Sequence, residues 1–142
     1  MIFNLFGNTF EIRPQVRRRR KRSRPDWRQP VNETQKKAFK EDLQYRVEHW
    51  RVVMGEAPIR WTIRNMKSQW GNCRPQTRQL TFNTQLTLLD NSLRDYIIVH
   101  ELSHLQVPNH GPQFKARMDA FLPDWRQRRK QLREYVIHIL NP

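Results

Sequence analysis

Phe39, Leu43, Val47, Trp50 and Met54 recur at helical spacing, which predicts an amphipathic helix from about Asn32 to Met54. Asn32 followed by Gln35 matches a capping box at its start, and Gly55 and Pro58 end it. The pattern then changes period. Ile59, Trp61 and Ile63 alternate with Arg60, Thr62 and Arg64, as on a half-buried strand. A second strand is expected from Gln79 to Leu86, around Leu80 and Phe82, and Lys67–Pro75 reads as a loop by its Gly, Asn and Pro content. A second helix should open at Asn91 or Ser92, with Ser92 and Asp95 as its capping pattern, and run to about Val107, where Pro108 opposes continuation. Pro112 suits the first position of a third helix carrying Phe114, Met118 and Phe121. After Pro123 a fourth helix carries Trp125, Leu132, Val136 and Leu140. Near the N-terminus, Ile2–Phe6 and Thr9–Ile12 flank Gly7-Asn8, the signal for a tight hairpin. A hairpin, a helix, two short strands and three further helices make this an α+β chain.

Composition adds a partner class. The chain has 142 residues and a formal charge of +14, from 27 Lys plus Arg against 13 Asp plus Glu. Much of the excess lies in Arg17–Arg24, a run that repels itself and reads as an exposed arm, and in Arg126, Arg128, Arg129, Lys130 and Arg133. Both features favour polyanions, and nucleic acid is the candidate partner. The expected organisation is a hairpin over residues 1–16, a basic Pro-containing linker or arm over 17–31, and one domain over 32–142. A single cysteine, Cys73, rules out an intrachain disulfide framework. No stretch has the length of a membrane span or a secretory signal, so a cytoplasmic location without membrane contact is expected.

The second predicted helix holds His100-Glu101-Leu102-Ser103-His104. Residues i and i+4 share a helical face, so two imidazoles at this spacing can reach one tetrahedral zinc, at about 2.0–2.1 Å each. Glu101 is rotated about 100° round the helix. It flanks such a metal without ligating it and is the candidate general base. Zn2+ is the expected cofactor. A catalytic zinc takes three protein ligands and keeps one position open. His110, beyond the Pro108 break, is the best third ligand, and Cys73 is its competitor because thiolates bind zinc well. A rival reading is a basic nucleic-acid-binding module with a structural zinc and no catalysis. Glu101 has no purpose there, and a structural site would need a fourth protein ligand.

The segments Met66–Cys73, Leu80–Asn83, Val99–Leu105 and Asn109–Phe114 make the chain similar to the YgjP-like metallopeptidases and, more distantly, to SprT-like proteins. The likeness spans roughly residues 33 to 135 and includes the order of the segments. It implies a minimal zincin-like domain: a helix, a small antiparallel or mixed sheet packed against the active-site helix, then C-terminal helices. It also implies that His110 is the third ligand and that the substrate is a protein or peptide. Trp70 and Asn72 are candidates for a substrate-site loop. Members usually carry Arg before the Trp-Gly pair, where this chain has Gln69. The family's longer N-terminal sheet looks reduced here to the hairpin and the arm.

Overall fold

A computed structural model describes residues 2–5 and 8–11, as backbone, and residues 25–142. Strands β1 (Ile2–Leu5) and β2 (Asn8–Glu11) pair antiparallel, with Leu5 opposite Asn8. Asn8 therefore opens the second strand instead of closing the turn. The rest of the expected Gly7-Asn8 turn, and the basic run Arg17–Arg24, lie outside the described residues.

Helix α1 (Glu33–Val53) begins at the expected capping box. The Gln35 amide donates to Asn32 Oδ1 at 2.8 Å, and the Asn32 amide donates to Gln35 Oε1 at 3.0 Å. Its stripe of Phe39, Leu43 and Val47 is buried, each side chain contributing about 1.5–3 kcal/mol by removal from water. Gly55, at φ +69°, takes the left-handed conformation that lets the chain leave the helix.

Three strands follow: β3 (Arg60–Arg64), β4 (Gly71–Arg74) and β5 (Gln79–Asn83). They form a mixed sheet in the order β3-β5-β4, with β3 parallel and β4 antiparallel to β5. Leu80 and Phe82 of β5 point into the core, which is why the central strand alternates. β4 corrects the expectation of a loop over Lys67–Pro75. Its Gly and Asn have poor strand propensity, and pairing with β5 overrides it. β5 is shorter than expected because Thr84–Leu88 winds into a 3-10 turn capped by Asn83.

Helix α2 (Asn91–Ser103) is capped by Asp90, whose carboxylate accepts from the Leu93 amide at 2.9 Å. Ser92 is not the cap; its hydroxyl donates to the same carboxylate at 3.0 Å. The helix also stops short of Val107. The Ser103 carbonyl accepts from both Gln106 and Val107, so the chain tightens into a turn that leaves His104 at the C-cap. Helices α3 (Pro112–Phe121) and α4 (Trp125–Leu140) follow, with Pro112 in the first turn of α3. One core joins all four helices to the sheet, through Phe39, Phe82, Ile98, Leu102, Met118 and Trp125.

A polar lattice ties α1 to α2. Asp42 accepts from Arg46 and Arg94, each at 2.8 Å, and Asp95 accepts from Arg46 at 2.9 Å and Trp50 at 3.1 Å. Burial raises the Asp42 carboxyl, but hydrogen bonds from Arg94 and Arg46 outweigh it and hold the group below the usual range. A depressed carboxyl stabilises the fold above its unfolded value and loses that contribution as pH falls through the folded one. Asp42→Asn is therefore expected to lower stability at neutral pH. It should also flatten the loss of stability on acidification below about pH 4. Urea melts across that range check it; a variant with the wild-type acid profile would show that Asp42 does not couple proton binding to folding.

Candidate active site

The sequence makes α2 a helix buried on most of its circumference. Leu93, Tyr96, Ile97, Ile98, Val99 and Leu102 are all in the core. One strip remains for chemistry, carrying His100 and, at the C-cap, His104. The turn after Ser103 and the Pro108 break swing the chain back, so that His110, just before α3, meets them.

The three Nε2 atoms converge. His100 and His104 are 3.2 Å apart at Nε2, His104 and His110 3.0 Å, and His110 and His100 3.3 Å. Nitrogens on a tetrahedral zinc would be about 3.3 Å apart, given bonds of about 2.0–2.1 Å. The tautomer also fits. His104 Nδ1 lies 3.0 Å from the Val107 carbonyl oxygen, which can only accept, so Nδ1 donates and Nε2 presents a lone pair. Burial, then the neighbouring imidazoles and Arg129, pull His100 down to about 3, and burial lowers His104 as well. Both are neutral at physiological pH. Lone pairs gathered this closely repel unless a cation lies among them, and these histidines could hold a metal ion.

Phe114 is the common wall. The buried ring stacks on His104 at 4.6 Å and meets His100 at 4.9 Å and His110 at 5.0 Å edge to face. Sequence periodicity marked Phe114 only as core. Its four-residue distance from His110, on the helix that follows, was the available signal for a second task.

Glu101 is 7% exposed, and burial pushes its carboxyl up to about 8. Among the described residues no donor reaches that carboxylate. It fits because β4 approaches it with a glycine. A Cβ on Gly71 would lie 2.9 Å from Glu101 Cγ and 3.1 Å from Oε1. Asn83, fully buried, shapes the approach. Its Nδ2 donates to the carbonyls of Met66 and Gln69, both at 2.7 Å, and its Oδ1 accepts from Met66 N at 3.2 Å and Gln85 N at 3.1 Å. Three of these four bonds go into the bend that delivers Gly71, and the fourth caps the 3-10 turn. Sequence reading missed this task of Asn83.

A cleft of about 330 Å³ opens over the histidines, walled by Gln69, by Gly71, Asn72 and Cys73 of β4 and by Pro108. Asn72 thus reaches the cleft. Trp70 does not: its indole turns to the other side, 4.4 Å from Trp27 and 6.3 Å from Tyr135. Cys73 is in the cleft wall, but its sulfur is not a member of the histidine cluster. Burial, then the Glu101 charge, pushes its thiol up to about 12. His49 lies on α1 against Tyr45, away from the cluster.

The model of the YgjP-like metallopeptidase domain matches residues 7–135, and the chain belongs to that family. It is a metallopeptidase, and hence a hydrolase that works with a metal and acts on protein or peptide. Two solved structures share the fold. The crystal structure of the metallopeptidase zymogen jannalysin of Methanocaldococcus jannaschii aligns with a TM-score of 0.60 at 21% identity, over 66% of this chain and 96% of that one. That of the zymogen abylysin of Pyrococcus abyssi aligns with a TM-score of 0.59 at 20% identity, over 63% of this chain and 90% of the other. No curated protein matches the chain. No helix among the described residues is long and apolar enough to cross a membrane.

Proposed function

We propose that the chain is a zinc-dependent peptidase whose metal is held by His100, His104 and His110, with Glu101 as general base. The observation that carries this reading is the triangle of Nε2 atoms at 3.0–3.3 Å beside a buried carboxylate. Three imidazole nitrogens and no thiolate suit zinc and leave room for a fourth partner. When bound, zinc supplies Lewis acidity, polarising a scissile carbonyl and lowering the pKa of a water to about 7.

The residues do the rest. Glu101 takes a proton from the attacking water and returns it to the leaving amine. Burial raises its proton affinity, which suits both halves of that task near neutral pH. Asn72, in the cleft wall, is placed to donate to the substrate. The outer edge of β4 offers its free backbone groups to an extended peptide, which would add as a strand. The Nδ1–H bond of His104 to Val107 holds its ring in register.

The charge of +14 and the Arg17–Arg24 run support recruitment of the enzyme to nucleic acid. In this reading the peptidase domain spans 32–142, the arm 17–31 carries it to the polyanion, and the setting is the cytoplasm.

Elemental analysis of purified protein tests the ligand set. About one zinc per chain is expected in wild type, and much less in His110→Ala. Undiminished zinc in His110→Ala would break the assignment and point to Cys73. A wild type that takes up no divalent metal on reconstitution would end the zinc-peptidase reading.

A further inference from the structure

Trp70 leaves the cleft wall to build something else. Its indole and that of Trp27 form one side of a groove of about 480 Å³, and Val136 and Leu140 of α4 form the floor. The Trp27 indole N–H donates to the Lys67 carbonyl at 2.7 Å, and Gln85 holds both backbone groups of Gln29, at 2.8 and 2.9 Å. The Trp27 wall is therefore anchored to the loop that precedes β4. The groove continues along α4 past Arg133 and Ile137. Ile137 is 60% exposed and Leu140 37%. Gln69 lines both this groove and the cleft, so the two are neighbours across that residue. Arg133 and Lys67 form no ion pair with an acid among the described residues, and they frame this apolar floor from two sides.

We propose that this groove is a substrate-binding subsite outside the catalytic cleft. It takes an aromatic or aliphatic side chain of an extended polypeptide with acidic residues beside it. The apolar floor provides the burial that would hold such a side chain. Arg133 and Lys67 favour carboxylates at the rim. Because Gln69 borders both, a polypeptide crossing that residue would occupy groove and cleft together. A single-stranded nucleic acid would also meet cations and aromatic rings here. The aliphatic floor, however, offers no partner for base edges or phosphates. Calling the ligand a substrate rests on the peptidase reading; the binding itself does not.

The test uses the full chain carrying Glu101→Gln, so that binding is read without turnover. The probes are a fluorescein-labelled peptide with a Phe between Asp and Glu residues, its counterpart with Lys in place of the acids, and a single-stranded oligonucleotide. Fluorescence anisotropy is read at physiological salt. The acidic peptide should bind more tightly than the lysine peptide. Arg133→Glu should weaken the acidic peptide about tenfold and strengthen the lysine peptide. Ile137→Glu, at an exposed position, should weaken the acidic peptide too, and circular dichroism shows that both variants are folded. Acidic-peptide affinity unchanged in both variants would overturn the subsite. So would an Arg133→Glu effect confined to the oligonucleotide. A charge-swap result in a protein that holds no metal would keep the subsite and sink the peptidase reading; turnover by a wild type whose variants bind peptide normally would do the reverse.

Discussion

Glu101→Gln is expected to lower peptidase turnover by about 10²–10⁴-fold while leaving zinc content at the wild-type level. On the proposed mechanism the same turn of α2 carries two separable tasks. The histidine nitrogens meet one another and not the Glu101 carboxylate, so neutralising that carboxylate leaves the ligand set intact. What it removes is the proposed proton acceptor. The amide of Gln has nearly the shape of the carboxylate, so the approach of Gly71 is preserved. Gly71→Ala reaches the same end by another route. Its new Cβ would fall 2.9 Å from Glu101 Cγ, and the buried side chain must move. It should lose turnover with the metal retained, although no chemical group has been deleted. Single-turnover rates on a casein or peptide substrate, beside metal analysis of the same preparations, check both variants. Glu101→Gln with near-wild-type turnover would remove the carboxylate from the reaction. Loss of metal in Glu101→Gln would mean that it acts through the ligands.

The convergence of the three histidines was legible because it is local. The i, i+4 spacing of His100 and His104 and the Pro108 break before His110 are properties of a dozen consecutive residues, and helix geometry converts them directly into convergence. The stripe on α1 and its Asn32–Gln35 cap were legible for the same reason. What surrounds the centre was not. β4 is strand only because β5 pairs with it, and its Gly71-Asn72 composition argued for a loop. The tasks of Asn83 and Gln85 are bonds to backbone 14 to 17 and 56 residues away. No periodicity records such distances. Trp70 shows the limit most clearly. Its neighbours in sequence, Gln69 and Gly71, line the cleft, yet its indole packs toward Trp27 and Tyr135, partners that lie far from it in the chain.

Glu56→Ala is expected to cost about 3 kcal/mol, toward the low end for a buried carboxylate with charged partners, or roughly 10 °C in Tm for a chain of this size. Nothing in the sequence singles out Glu56. In the fold its side chain is 4% exposed and gathers three elements. Arg117 of α3 donates to Oε1 at 3.3 Å, Arg78 of the β4–β5 turn to Oε2 at 3.4 Å, and Gln106 of the turn after α2 to Oε2 at 3.3 Å. Arg78 adopts a left-handed backbone at φ +52°, which costs about 1–2 kcal/mol for a residue with a Cβ. Its bonds to Glu56 and to the Ala57 carbonyl hold it there. Without the carboxylate, two guanidinium groups lose their acid partner. Each already has an Nε buried without a hydrogen-bond partner. Both retain some contact with water, at 34% and 25% exposure, which keeps the cost at the low end. The consequence reaches the proposed metal site, because α3 follows His110 directly and Arg117 ties α3 to the segment before β3, beside the core contacts of Phe114 and Met118. Glu56→Ala should therefore weaken zinc affinity as well as stability, although Glu56 touches no histidine. Glu56→Gln, which keeps an acceptor but no charge, should fall between. Urea melts of the metal-free chain and zinc titration with a competing chelator measure the two effects separately. A stability loss under about 1 kcal/mol would show that the arginines are satisfied by water alone. A large stability loss with unchanged zinc affinity would show that α3 holds His110 without this tie.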